Sequence, residues 1–82
     1  MYYVYILQSI SFSTKIYIGF TENIGARLKT HNEGSSPHTS KYRPWLIKSY
    51  CAFEERETAV AFERYLKTHS GRAFIYKRFI IQ

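Results

Sequence analysis

Two short β-forming runs, separated by a polar stretch too short to hold another element, constrain this chain more than any other feature. Met1 to Leu7 is apolar or aromatic throughout, and Lys15-Ile-Tyr-Ile-Gly-Phe20 alternates with period two. Aromatic and β-branched residues at that period favour strands, and the intervening Ser9–Thr14 leaves room for little but a turn. The pair reads as an antiparallel hairpin. Strand parity then divides its side chains: Val4, Ile6, Ile16 and Ile18 share one face, and Tyr3, Tyr5, Tyr17 and Gly19 share the other. The first set is expected to pack against helices. A symmetric turn centred near residue 11 would set Tyr5 and Tyr17 directly opposite each other, an arrangement that also stabilises ordinary hairpins as a cross-strand aromatic pair.

The rest of the chain continues in the same units. Thr21 or Asn23 can cap a helix carrying Ile24 and Leu28, with Gly34 as its stop. Residues 34–44 form a polar loop, and Trp45 to Phe53 alternates as a third strand. Glu54, Glu55 and Glu57 stand where a helix N-terminus favours negative charge. Ala59, Phe62 and Leu66 carry that helix to about His69, with Gly71 ending it. Arg72 to Gln82 reads as a last helix with Phe74, Ile75, Arg78 and Phe79 on one side. The order β-β-α-β-α-α describes an α+β fold with a small, three-stranded, mainly antiparallel sheet flanked by helices. Its 82 residues, 1–82, are expected to form one domain.

Composition narrows the chemistry. Twelve Lys and Arg face six acids, all of them Glu, for a formal charge of +6. The basic excess and the eight tyrosines suit a polyanionic, nucleotide-bearing partner. The absence of Asp excludes Ser-His-Asp triads and Asp-based calcium loops. A single Cys51 precludes an internal disulfide, and His31, His38 and His69 lack the spacing of a structural zinc site. No apolar run reaches the length of a signal segment or a membrane helix, so a cytoplasmic protein is expected, with no membrane partner.

Three placements call for explanation. Arg27 and His31 lie four apart, on one face of the first helix beside Ile24 and Leu28. They either point along the sheet or are a stem-buried Arg and an ordinary surface His. Glu63 falls on the apolar stripe of Ala59, Phe62 and Leu66, where a carboxylate requires a partner. That partner is Lys67 or another cation of the chain, or else a divalent metal.

Taken together these residues resemble the GIY-YIG (URI-domain) endonuclease family. Tyr3-Val4-Tyr5 stands for the first half-motif, with Tyr and Val in place of Gly and Ile, and Tyr17-Ile18-Gly19 is the second, intact. Thr21, Arg27-Leu28 and His31-Asn32 follow at the family's spacing. Glu63 with Tyr65-Leu66-Lys67 and Gly71-Arg72 is similar to the small stand-alone YhbQ-like members. The resemblance implies metal-dependent hydrolysis of nucleic-acid phosphodiesters, in DNA processing or repair, with one Mg2+ or Mn2+ held by Glu63. It further implies that Arg27 pairs with the scissile phosphate, that Tyr5 and Tyr17 orient or deprotonate the attacking water, and that His31 joins that proton network. Lys29, Lys41, Tyr42, Arg43 and Lys67 are expected to contact nucleic acid, DNA in preference to RNA, with specificity supplied by a protein partner. Phe20 replaces a Lys found in some members, and no Asn follows residue 32, where many members carry one after the metal-binding Glu. The alternative expectation is a nucleic-acid-binding module of this fold with weak or lost catalysis.

Overall fold

The computed structural model describes residues 1–80, so the last two residues of the expected C-terminal helix lie outside the described residues. Strands β1 (Tyr2–Ser9), β2 (Ile16–Thr21) and β3 (Trp45–Phe53) form an antiparallel sheet in the order β2-β1-β3. Helix α1 (Ile24–Asn32) follows the hairpin, and helices α2 (Arg56–Leu66) and α3 (His69–Arg78) follow β3. The α+β architecture expected from the sequence is the one observed.

The apolar parity set packs as its period requires. Val4, Ile6 and Ile18 form the core with Ala59 and Leu66 of α2, Ile75 of α3 and Ile80, each at most 4% exposed. Each of the Val, Ile and Leu side chains among them contributes roughly 1.5–3 kcal/mol by leaving water. Phe20, Phe53, Phe62 and Phe74 close the margins of this cluster.

The hairpin register differs from the expected one. Tyr5 pairs with Gly19 and Leu7 with Tyr17, so the turn is centred on residue 12. Moving a turn centre by one residue slides the partner strand by two, which preserves the faces but places Tyr5 and Tyr17 diagonally. Their rings meet edge to face with centroids 6.3 Å apart. Ser9 fixes this end of the hairpin, donating to the Tyr42 carbonyl at 2.6 Å and accepting from the Phe12 amide at 3.0 Å.

The third strand departs from simple alternation. Its pairing with β1 skips Lys48, since Ile6 opposes Ser49 and Leu7 opposes Ile47. This bulge reverses the parity of β3 midway, so Trp45 and Ile47 share a sheet face with Tyr50 and Ala52.

Helix ends follow local chemistry. Asn23 caps α1, its side chain accepting from the Ala26 amide at 3.0 Å, while Thr21 braces the Asn23 backbone. Gly34, at φ 81°, lets the chain leave α1 in the left-handed region. Gly71 is not the stop of α2. The chain breaks at Lys67, Thr68 caps α3 by accepting from the Gly71 amide at 3.1 Å, and Gly71 lies in the first turn of α3. A side chain at Gly71 would strike the backbone of Tyr65 and Leu66, so this glycine permits α3 to fold back onto the end of α2.

Candidate active site

The face of the sheet opposite the core carries Tyr3, Tyr5, Leu7, Tyr17 and Gly19, and α1 covers part of it. Tyr5 is 2% exposed and leans across β2, its ring occupying the space a side chain on Gly19 would need. The glycine of the second half-motif is thus a packing requirement of the tyrosine in the first. From this position the Tyr5 hydroxyl reaches His31 Nε2 at 3.0 Å. The Tyr17 ring lies 4.8 Å from the imidazole, centroid to centroid.

His31 is buried at 1% exposure, which overturns the ordinary-surface-histidine alternative. Its Nδ1 is 2.7 Å from the hydroxyl of Thr39, itself fully buried. In the sequence Thr39 is one more residue of a polar loop, and no periodicity there singles it out. The loop in fact holds a turn of 3-10 helix, Ser40–Tyr42. Asn32, next to His31, grips the first residue of β3: it donates to the Trp45 carbonyl at 3.1 Å and accepts from its amide at 2.6 Å. Trp45 Nε1 donates to the Thr39 carbonyl at 2.8 Å, locking helix, loop and strand together behind the imidazole.

Arg27 sits one turn before His31 with its side chain toward the Tyr5 hydroxyl. Burial, the neighbouring Tyr17 and, less strongly, Glu63 raise the Tyr5 pKa to about 12, while the charge and donors of Arg27 oppose the rise. Burial lowers the His31 pKa below its usual 6.5, and the positive charge of Arg27 lowers it further. Both groups are therefore neutral near pH 7. Between the Tyr5 hydroxyl and His31 Nε2 the donor is set by the imidazole's tautomer, and a guanidinium beside the phenol, which can only donate, favours the phenol as donor. In that tautomer Nδ1 carries the ring proton and donates to the Thr39 hydroxyl 2.7 Å away.

The stripe that placed Glu63 toward the sheet is only partly buried there. Its side chain keeps 20% of its exposure and binds Lys67 Nζ at 3.2 Å through one carboxylate oxygen. It also lies close enough to Tyr5 to act on its ionisation. Among the described residues no three His, Cys or Glu side chains converge as a metal cage. One accessible carboxylate does suit a hydrated hard cation, which takes one or two carboxylates and fills its other positions with waters and phosphate oxygens.

The groups expected to bind nucleic acid have intramolecular neighbours. Lys29 pairs with Glu33 at 3.9 Å and Lys67 with Glu63, both solvated pairs of little energetic weight. Lys15 and Lys41 lie over the Tyr42 ring at 5.3 and 5.8 Å, with Phe12 against its edge, so cations rather than a free stacking face surround that ring. Arg43 rests against Gly34 at the C-terminal end of α1, where a cation complements the helix dipole.

Among the described residues no helix is long and apolar enough to cross a membrane. Comparison with known proteins agrees with the geometry. The family model for the GIY-YIG catalytic domain matches residues 1–77. UPF0213 proteins of Streptococcus pyogenes serotypes M3, M1 and M5 are each 31% identical to this chain over 72 residues, covering 87% of it and 76% of their own length. With a family match over nearly its whole length and relatives of comparable extent, this chain belongs to the GIY-YIG family, a nuclease-type module whose substrate is nucleic acid.

Proposed function

We propose that residues 1–82 act as a single metal-dependent endonuclease domain that hydrolyses phosphodiester bonds, in DNA in preference to RNA, within cytoplasmic DNA processing or repair. The observation that carries this reading is the convergence of Tyr5, Tyr17, Arg27 and His31 on one sheet face, with Glu63 near enough to influence Tyr5. Arg27 presents a planar donor pair suited to a phosphate, stabilising charge that builds on its oxygens. Tyr5, held as a neutral phenol, is a poor base but a fixed hydrogen-bonding group. Its proton is committed to His31, and Thr39 holds the imidazole in the matching tautomer. Tyr17 is only half-buried and is the phenol best placed to orient an attacking water. Glu63 would hold the cation, magnesium or manganese, by one carboxylate. Such an ion, when bound, lowers the pKa of water and neutralises phosphate charge. Specificity beyond a basic surface is assigned to a protein partner.

The test is a panel of labelled DNA and RNA structures incubated with parent, Arg27→Lys and Glu63→Gln proteins, with and without magnesium. The parent should cleave only with the metal. Glu63→Gln should not cleave but should bind substrate as well as the parent or more tightly. Arg27→Lys should keep binding and lose most cleavage, because lysine lacks the two-pronged geometry. Undiminished cleavage by both variants refutes the assignment. The Glu63–Lys67 pair at 3.2 Å favours a second reading, a binding module with weak catalysis, and salt-sensitive binding by a parent that never cleaves would select it.

A further inference from the structure

Beside the candidate active site the sheet face is left open. Helix α1 closes on the sheet at its C-terminal end, where His31 is buried, but its N-terminal end stands away. Between them is a cavity of about 300 Å³ lined by Tyr3, Tyr50, Glu22, Asn23, Ile24 and Gly25. Tyr3 and Tyr50 form its aromatic wall, edge to face with centroids 5.9 Å apart, and Tyr50 is 55% exposed. The bulge at Lys48 brings Tyr50 to this face, where it is the direct cross-strand partner of Tyr5. Tyr3 is two residues from Tyr5 on β1, a separation of roughly 7 Å. The cavity therefore adjoins the catalytic cluster at about the spacing of neighbouring nucleotides.

We propose that this cavity is a nucleobase subsite that takes one unpaired base next to the scissile phosphate. The inference rests on the nuclease-type reading and adds to it a substrate class, nucleic acid unpaired at the cut. Its volume is at the low end for small-molecule sites, room for a single planar group. A tyrosine half open to solvent offers a π-face of the kind on which unpaired bases stack. The carboxylate of Glu22 disfavours a phosphate in the cavity and instead accepts from an exocyclic amino group. Cytosine and adenine are thereby preferred over thymine. A paired base, stacked within a duplex, cannot present its face to Tyr50.

The test measures metal-free binding, so it does not depend on cleavage. Fluorescently labelled deoxycytidine and thymidine hexamers, a duplex hexamer, and deoxycytidine hexamers with each position in turn abasic are titrated against parent, Tyr50→Phe and Tyr50→Ala proteins. The parent should prefer the deoxycytidine hexamer to the duplex and to thymidine, and one abasic position should weaken binding about tenfold. Tyr50→Ala should lose a similar factor on the intact hexamer and nothing further on that abasic strand, whereas Tyr50→Phe should bind like the parent. Thermal melts check that each variant is folded, and Tyr50→Phe supplies the comparison if Tyr50→Ala is not. Equal binding by Tyr50→Ala and parent, an equal loss at every abasic position, or no parent binding overturns the subsite. A parent that binds in this pattern but never cleaves would overturn the nuclease reading and leave the subsite standing.

Discussion

Gly19→Ala tests the packing logic of the site most directly. A methyl group there would overlap Cζ, Cε1 and the hydroxyl oxygen of Tyr5, a ring walled in at 2% exposure. Reaching ordinary van der Waals separation requires the ring to move by roughly an ångström. Overpacking of this kind costs about 1–3 kcal/mol. The same movement stretches the 3.0 Å hydrogen bond to His31 beyond bonding distance, and a buried imidazole nitrogen left without a partner costs about 1–3 kcal/mol more. Alanine recovers about 0.5–1 kcal/mol because glycine is a poor strand residue. Taken at midpoints the net is a destabilisation of about 3 kcal/mol, which lowers Tm by on the order of 15 °C in a domain this small. Melts of Gly19→Ala in the parent and in a Tyr5→Leu background measure it, since the smaller side chain leaves room for the methyl. The cost should largely vanish in the second background. An equal cost in both, or an unchanged Tm in the first, would show that the ring of Tyr5 is not what requires glycine.

Three further outcomes follow from the geometry. Gly71→Ala should destabilise by about 3 kcal/mol despite alanine's better helix propensity, because its methyl would lie 2.6 Å from the Leu66 Cα in backbone that cannot yield; a melt at or above the parent's contradicts the close approach. Ultraviolet titration should find one of the eight tyrosines ionising near pH 12, and Tyr5→Phe should remove it; because that pKa is raised in the folded state, the stabilisation is full below pH 10 and lost as pH climbs toward 12, by on the order of 1–2 kcal/mol after solvent screening. His31 works in the opposite direction: with its folded pKa depressed, stability should hold above pH 6.5 and decline below it, and a flat acid profile between pH 7 and 5 would refute a buried neutral imidazole.

Much of this architecture is legible in the amino-acid sequence. Period-two patterning names the faces of β1 and β2, since apolar Val4, Ile6 and Ile18 can only be buried together. The spacing of Arg27 and His31 puts them on one side of α1 for the same geometric reason. What the pattern hides depends on single-residue events without a periodic signature. The hairpin's turn centre lies one residue later than symmetry suggests, which slides Tyr17 from Tyr5 to Leu7. A bulge at Lys48 turns Tyr50 to the face that carries Tyr5 although every residue of β3 still alternates in exposure. Thr39 acquires its role only because the Asn32–Trp45 clamp brings an irregular loop over the imidazole. Gly71 reads as punctuation, yet its function is to let two helices touch.

The central place of β1 in the sheet also dictates an order of assembly. The hairpin closes across residues 10–15, whereas β3 must return from residue 45 to pair with a strand ending at residue 9. Closing the longer loop costs roughly 1.5 kcal/mol more in chain entropy, and nothing offsets it until α1 and Trp45 are in place. The hairpin should therefore form early and wait, with one edge of β1 bare. That edge belongs to Tyr2–Leu7, an uncharged aromatic and aliphatic run of the kind that templates intermolecular strands. Lesions in the Asn32 clamp, for instance, would then surface first as aggregation during synthesis rather than as a fault in the folded site.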